Sequence, residues 1–406
     1  MLLGIAGSVF VYNLIDPAQA SARHEARTEV TLREVRDALI GWSAQRTPTV
    51  ALPNARPGEL PCPDINPLDG FEDGNCAAGA LGRVPWKTLG IPEPKDEAGE
   101  TLWYAIAGPF RIWNTNPNPI NSDTKGNLTV YENSSVTSLT TEAVATIFAA
   151  GAPLGTQNRD ATVVVCPTTG TSIARNLCAA NYLETAATVN NATTGGPFIS
   201  AQSSGTFNDR LLVVTTADLM PVVEHRVGLE VRKLLQDYKI NTACACTNLG
   251  GTSGCYPYAD LSDGSSDADP FNPGEGRNRG RIPALGAAPY DWGTSPCGAT
   301  LTIPAWFVNN DWRLVVYYSA GRNFLGPGAC TSCVDTTLTV NGAAGGEVVI
   351  FTPGPLLGAA PRAPVPLDDS TYWQYYLADS ANSDLNDVYA NPSSNAYTRN
   401  RLYSIP

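Results

Sequence analysis

Two stretches of the chain carry apolar residues at helical spacing. Between Ser21 and Gln45, Leu32, Val35, Leu39 and Trp42 recur at steps of three, four and three. That puts them on one helix face and leaves Arg23, Arg27, Arg33 and Arg36 for the others. Thr47-Pro48 ends this element, since proline bars helical geometry for the residue before it. Between Val222 and Tyr238 a second helix is read from Val223, Val227, Val231, Leu234, Leu235 and Tyr238. Pro221 stands at its start, where a missing N–H is harmless. Ahead of the first helix, Leu2 to Ile15 is uncharged and mostly apolar. A helix of that length spans roughly 21 Å, against a hydrocarbon core of about 30 Å. Three readings compete: the end of a membrane helix that begins upstream, the apolar part of a signal cleaved after Ala18-Gln19-Ala20, and a buried core helix. Continuation through Asp16-Pro17 into an amphipathic helix favours a membrane anchor over residues 1–20.

Short strands are expected at Leu102–Ala107, Leu128–Tyr131, Leu211–Val214, Trp312–Tyr318 and Glu347–Phe351, where β-branched and aromatic residues cluster. Ala161 to Val165 reads as a buried strand, and Thr141–Ala149 as either strand or helix. Pro48–Gly90 is dense in Pro, Gly, Asp and Asn and reads as an ordered loop. Asn190–Ser204 reads as a low-complexity loop.

Features recur in one order at an offset of roughly 200 residues, which points to a tandem duplication. Helix Thr28–Trp42 matches Val223–Tyr238, and Gly82-Arg83-Val84-Pro85 matches Gly280-Arg281-Ile282-Pro283. The stretch from Ile147 to Gly155 matches Ile350 to Gly358, and Asn208-Asp209-Arg210-Leu211 loosely matches Asn400-Arg401-Leu402. The reading is an anchor over residues 1–20, a first domain over 21–218 and its duplicate over 219–406.

Composition places this architecture outside the cytoplasm. Charged residues make up only 16% of the 406, and ten cysteines form an even set. With only His24 and His225 as histidines and no paired C-x-x-C spacing, disulfides are the better reading than zinc. Proximity favours Cys62 with Cys76 and Cys166 with Cys178. A net charge of −12 without a basic cluster argues against nucleic acid and anionic lipid headgroups as partners.

Candidate chemistry is sparse. Asp64, Asn66, Asp69, Asp73 and Asn75 crowd oxygen-bearing side chains around Gly70 and Gly74. Calcium takes six to eight oxygens on a turning loop, so it is the candidate ion. The same residues are also ordinary turn formers. Asp260, Asp263, Asp267 and Asp269 offer a second such loop. No nucleophile motif of the G-x-S-x-G kind and no phosphate-cradling loop occurs, so no enzymatic activity is expected. Carboxylate pairs such as Glu97 and Glu100 are of a kind any acidic chain contains. Trp86, Trp103, Trp113, Trp292, Trp306, Trp312 and Trp373 are read chiefly as core and loop anchors.

An apolar segment leading into an amphipathic helix, then a Pro/Gly/Asp loop, then Asp96, Gly99 and Tyr104 at D-x-x-G-x-x-x-x-Y spacing, resembles the type IV pilin and type II secretion pseudopilin class. Ala38-Leu39-Ile40-Gly41-Trp42, Leu60-Pro61-Cys62-Pro63-Asp64 and Leu81 to Gly90 resemble a group of large bacterial pilin-like envelope proteins. The likeness is good over residues 2–107 and weaker beyond. The prepilin-peptidase motif is absent from the sequence.

The resemblance implies an α+β fold of two tandem pilin-like domains, each a helix packed on a small antiparallel sheet with disulfide-pinned loops. It implies a membrane-anchored, non-enzymatic subunit of the bacterial envelope, minor or at the tip of a type IV pilus or type II secretion-like assembly. Its partners are then other pilin-like subunits, met through the N-terminal helix, and the inner membrane. Calcium in a surface loop is known in that class. The alternatives are a secreted adhesin or carbohydrate-binding module released after Ala20, and an extracellular hydrolase.

Overall fold

A computed structural model describes residues 17–50, 52–111, 120–241, 254–259, 278–283, 301, 303–309, 312, 316–326, 337–352, 354, 382, 386–390 and 401–406. The apolar stretch Leu2–Ile15 lies outside them, as do Asp260 to Asp269, Cys244, Cys246, Cys297, Cys330, Cys333, Trp113, Trp292 and Trp373. Among the described residues no helix is long and apolar enough to cross a membrane. The fold is mixed α+β, with several small, mainly antiparallel sheets and few helices.

The chain divides into two compact units. One comprises residues 1–42, 60–114 and 125–216. The other comprises 43–59, 115–124 and 217–406.

In the first unit, helix α1 (Pro17–Ala44) buries Leu32, Val35 and Leu39, the face its periodicity marks out. Four strands follow: β1 (Leu81–Arg83), β2 (Trp103–Ile106), β5 (Ala145–Ala149) and β11 (Arg210–Val214). They form one antiparallel sheet in that order. β2 and β5 are buried at every position, as the two middle strands of a covered sheet must be. Arg210 on the β11 edge reaches Glu25 of α1 at 3.1 Å. A second, three-stranded sheet places β3 (Leu128–Glu132) between antiparallel β4 (Ser138–Ala143) and parallel β10 (Phe198–Ser200).

The second unit repeats this order. Helix α2 (Thr216–Asn241) precedes β12 (Arg279–Arg281), β13 (Tyr317–Ala320), β16 (Val348–Thr352) and β18 (Arg401–Ile405), again antiparallel and in sequence. Here too a three-stranded sheet has a central strand, β14 (Leu338–Val340), between antiparallel β15 (Ala343–Gly346) and parallel β17 (Val388–Tyr389). Registers correspond. Gly82 faces Tyr104 and Gly280 faces Tyr318; Tyr104 faces Ile147 and Tyr318 faces Ile350. Helix and sheet meet closely at Gly228, where an added Cβ would stand 2.1 Å from the Tyr403 ring of β18.

Four expectations are corrected. Pro48–Gly90 is not all loop, since β1 and a helical turn at Trp86–Leu89 lie within it. α2 starts six residues earlier than its apolar spacing implies, so Pro221 lies inside it rather than at its start. The Val163–Val165 strand, β6, is not buried: Val163 and Val165 are 65% and 63% exposed. Among the described residues it pairs with β7 (Ser172–Ala174) alone, and a two-stranded ribbon has no second layer to cover it. The Asn190–Ser204 loop contains β10, whose strand partner, β3, is about 68 residues away in the chain and cannot be read from local pattern.

Candidate functional site

The stretch from Leu60 to Ala107 is built around a stapled loop. Cys62 and Cys76 are joined, as are Cys166 and Cys178. Cys255 is disulfide-bonded as well. Loop and sheet edge are sewn together by paired backbone bonds, Asp64 N to Arg83 O at 2.9 Å and Arg83 N to Asp64 O at 2.7 Å. Gly82 permits this approach, since a Cβ there would lie 2.7 Å from the Asp64 carbonyl. Gly70 likewise admits the Trp86 indole, which leaves no room for a side chain.

Three of the five oxygen-bearing side chains, those of Asp64, Asp69 and Asp73, accept from backbone N–H groups of the loop. Asp73 Oδ2 accepts from Ile65 N at 2.6 Å and Asn66 N at 2.8 Å. Asp69 Oδ1 accepts from Phe71 N at 2.9 Å, and Asp64 Oδ2 from Gly70 N at 2.8 Å. Asn66 is exposed, and Asn75 sits exposed in the left-handed region with φ 53°. Among the described residues no group of three or more His, Cys, Asp or Glu side chains is arranged to hold a metal ion. These carboxylates instead serve the loop's own N–H groups, the turn-forming role open to Asp and Asn. Asp64 is the costly member. It is buried, its Oδ1 has no hydrogen-bond donor, and burial, with Asp69 and Asp73 nearby, pushes its carboxyl up to about 6.

The D-x-x-G-x-x-x-x-Y stretch has a clear physical role. Asp96 is buried; its Oδ1 accepts from Ala98 N at 2.9 Å and Glu100 N at 3.0 Å, closing a turn in which Gly99 takes φ +82°. Its Oδ2 accepts from Gly151 N at 2.8 Å, which ties the turn to the end of β5. Tyr104, wholly buried, donates its hydroxyl to the Pro61 carbonyl at 3.2 Å, and burial raises its pKa well above the ordinary phenol value. The second unit repeats this latch: Tyr318 donates to the Pro257 carbonyl at 3.0 Å. Flanking bonds match too, Leu60 N to Phe110 O at 2.7 Å and Tyr256 N to Phe324 O at 2.8 Å.

Behind the turn, Arg83 lies over the rings of Trp103 and Tyr182, 4.3 and 4.0 Å from their centroids. Arg159 covers Tyr182 at 4.4 Å and meets Glu100 at 3.1 Å. Burial lowers the Arg83 pKa, and the aromatic faces and Glu100 offset part of its desolvation. These groups are engaged with one another and form structural knots. His225 is exposed on α2, its Nδ1 3.1 Å from the Tyr403 hydroxyl. Trp103, Trp306 and Trp312 are core residues, whereas Trp86 is half-buried.

What remains open on the first unit is surface. Ile65, Leu68 and Phe71 stand exposed on the stapled loop, with Lys87 Nζ 5.1 Å from the Phe71 ring centroid and 5.0 Å from that of Trp86. The outward face of α1 is charged, with Val30 exposed among Glu29, Arg33 and Glu34; Glu29 and Arg33 lie 3.6 Å apart. A groove of about 580 Å³ runs beside it, lined by Arg27, Val30, Thr31, Glu34, Lys95 and Glu97 among others. No family model, curated protein or solved structure matches the chain.

Proposed function

We propose that the protein is a non-enzymatic, membrane-anchored pilin-like subunit of the bacterial envelope, a minor or tip component of a type IV pilus or type II secretion-like assembly. The observation that carries this reading is one architecture present twice. In each unit a long helix precedes a four-stranded antiparallel sheet, and a tyrosine on the second strand latches the preceding proline-rich loop. We read the two units as tandem pilin-like domains, the first entered through the anchor segment. The functional surfaces are then α1, which packs on other subunits, and the loops around Cys62–Cys76. A photo-crosslinking residue at Val30, introduced in the native host, tests this. Crosslinks to other pilin-like subunits are expected; a chain that crosslinks to nothing and is released into the medium overturns it.

A second reading, a secreted adhesin or carbohydrate-binding module, draws on the exposed Phe71 beside Trp86 and Lys87, because an open aromatic face next to polar groups suits the apolar side of a sugar ring. It requires glycan binding that is lost in Phe71→Ala.

A further inference from the structure

Two carboxylates stand buried against each other in the first unit. Glu184 follows the Cys166–Cys178 loop, and Asp209 immediately precedes β11; each is more than nine-tenths buried. Their hydrogen bonds close a short circuit. Glu184 Oε2 accepts from Asn208 N at 2.9 Å and Asp209 N at 3.2 Å, and Glu184 Oε1 accepts from Gln157 Nε2 at 2.8 Å. Asp209 Oδ2 accepts from Glu184 N and from Asn191 Nδ2, both at 2.9 Å. Asp209 Oδ1 is buried and has no donor.

Among the described residues no cation pairs with either carboxylate. Arg159 is spent on Glu100 and on the Gln157 side-chain carbonyl, and Arg210, next in the chain, pairs with Glu25. The charge that acts on Asp209 is that of Glu184, whose side chain lies within hydrogen-bonding reach. Two adjacent buried carboxylates cannot both ionise cheaply, and one proton between them removes the repulsion and supplies the missing donor. Burial first, then Glu184, holds the Asp209 carboxyl well above the ordinary range.

We propose that Asp209 keeps a proton beside Glu184 and that the two side chains act as an acid-locked latch on the segment between them. The segment 185–208 carries the ribbon β8 (Thr185–Ala186) and β9 (Val189–Asn190), then β10. Asn191 is its wedge. It bonds Asp209, donates to the Ile199 carbonyl at 3.0 Å and accepts from Ile199 N at 2.7 Å. Under it Val189, Ile199 and Phe207 form a small core with Tyr131, Ala186 and Ala201. When Asp209 gives its proton to solvent, its carboxylate is left buried against Glu184, and the strap loosens over that core.

The sign follows from proton binding. Above the ordinary carboxylate range the folded pair holds a proton that the unfolded chain has already lost, so stability falls as pH rises until the pair itself ionises. Hydrogen exchange of the full chain between pH 7 and 9, above the limb that Asp64 contributes and corrected for intrinsic rates, reads this. Protection of amides in 184–209 should fall several-fold as pH rises, while β2 and β5 change less. Asp209→Asn places an amide donor where the proton sat and should make that protection independent of pH. Glu184→Gln is the second variant should the first fail to fold. Protection in the wild type that does not change with pH, or a slope that persists in both variants, overturns the latch.

Discussion

Replacing Asp96 by alanine is the sharpest perturbation of the first sheet. Asp96 accepts three backbone N–H bonds, from Ala98, Glu100 and Gly151, all at 2.8–3.0 Å. A hydrogen bond to a charged group contributes about 1.5–3 kcal/mol net. Ala98 is exposed, so its N–H recovers a bond to water and costs little. Glu100 and Gly151 are half-buried and lose more. The expected loss is about 3–4 kcal/mol, and Asp96→Asn, which retains one carbonyl oxygen, should lose roughly half of that. Hydrogen exchange of the intact chain is the assay, read at the slowest amides of β2 and β5. At about 1.4 kcal/mol per factor of ten, Asp96→Ala should accelerate them by two to three orders of magnitude. Acceleration below about threefold would refute the claim that this carboxylate holds the turn onto the sheet.

Two helix glycines should respond oppositely to alanine. Gly41 has nothing within 4 Å of a new Cβ, so Gly41→Ala should stabilise by about 0.5–1 kcal/mol in thermal or urea unfolding, whereas Gly228→Ala would drive a methyl into the Tyr403 ring and should cost about 1–3 kcal/mol. Removing the Cys62–Cys76 bridge by the double change to alanine should cost about 3 kcal/mol, the loop-closure entropy for a separation of 14, and increase protease cutting within 62–76. Asp64 is destabilising once ionised, because its folded carboxyl sits at about 6; its contribution should weaken the fold by up to about 3 kcal/mol as pH rises from 4 through 6, and Asp64→Asn should flatten that limb in unfolding experiments run with and without EGTA.

Legibility in the sequence tracked the range of the interaction. Leu32, Val35 and Leu39 lie on one buried helix face because a 3.6-residue period is local, and the two short-loop cystines are likewise near neighbours. The parallel pairing of β10 with β3 and the meeting of Glu184 with Asp209 depend on contacts across tens of residues, for which no local pattern exists. The excursions at 43–59 and 115–124, which belong to the second compact unit, are of the same kind. Val163–Val165 misled because β-branched residues favour extended backbone whether or not a layer covers them. In the Asp64–Asn75 loop the residue types were apparent, but not their orientation: the side chains of Asp64, Asp69 and Asp73, which read as ligands, accept from the loop's own backbone.

The central claim is an anchored pilin-like subunit, and intact mass spectrometry of the mature protein from its native host tests it most directly. The account predicts a membrane-fraction species that retains residues 1–20 and carries either additional upstream residues or a methylated N-terminus. A soluble species beginning at Ser21 would contradict it and leave the secreted binder as the surviving reading.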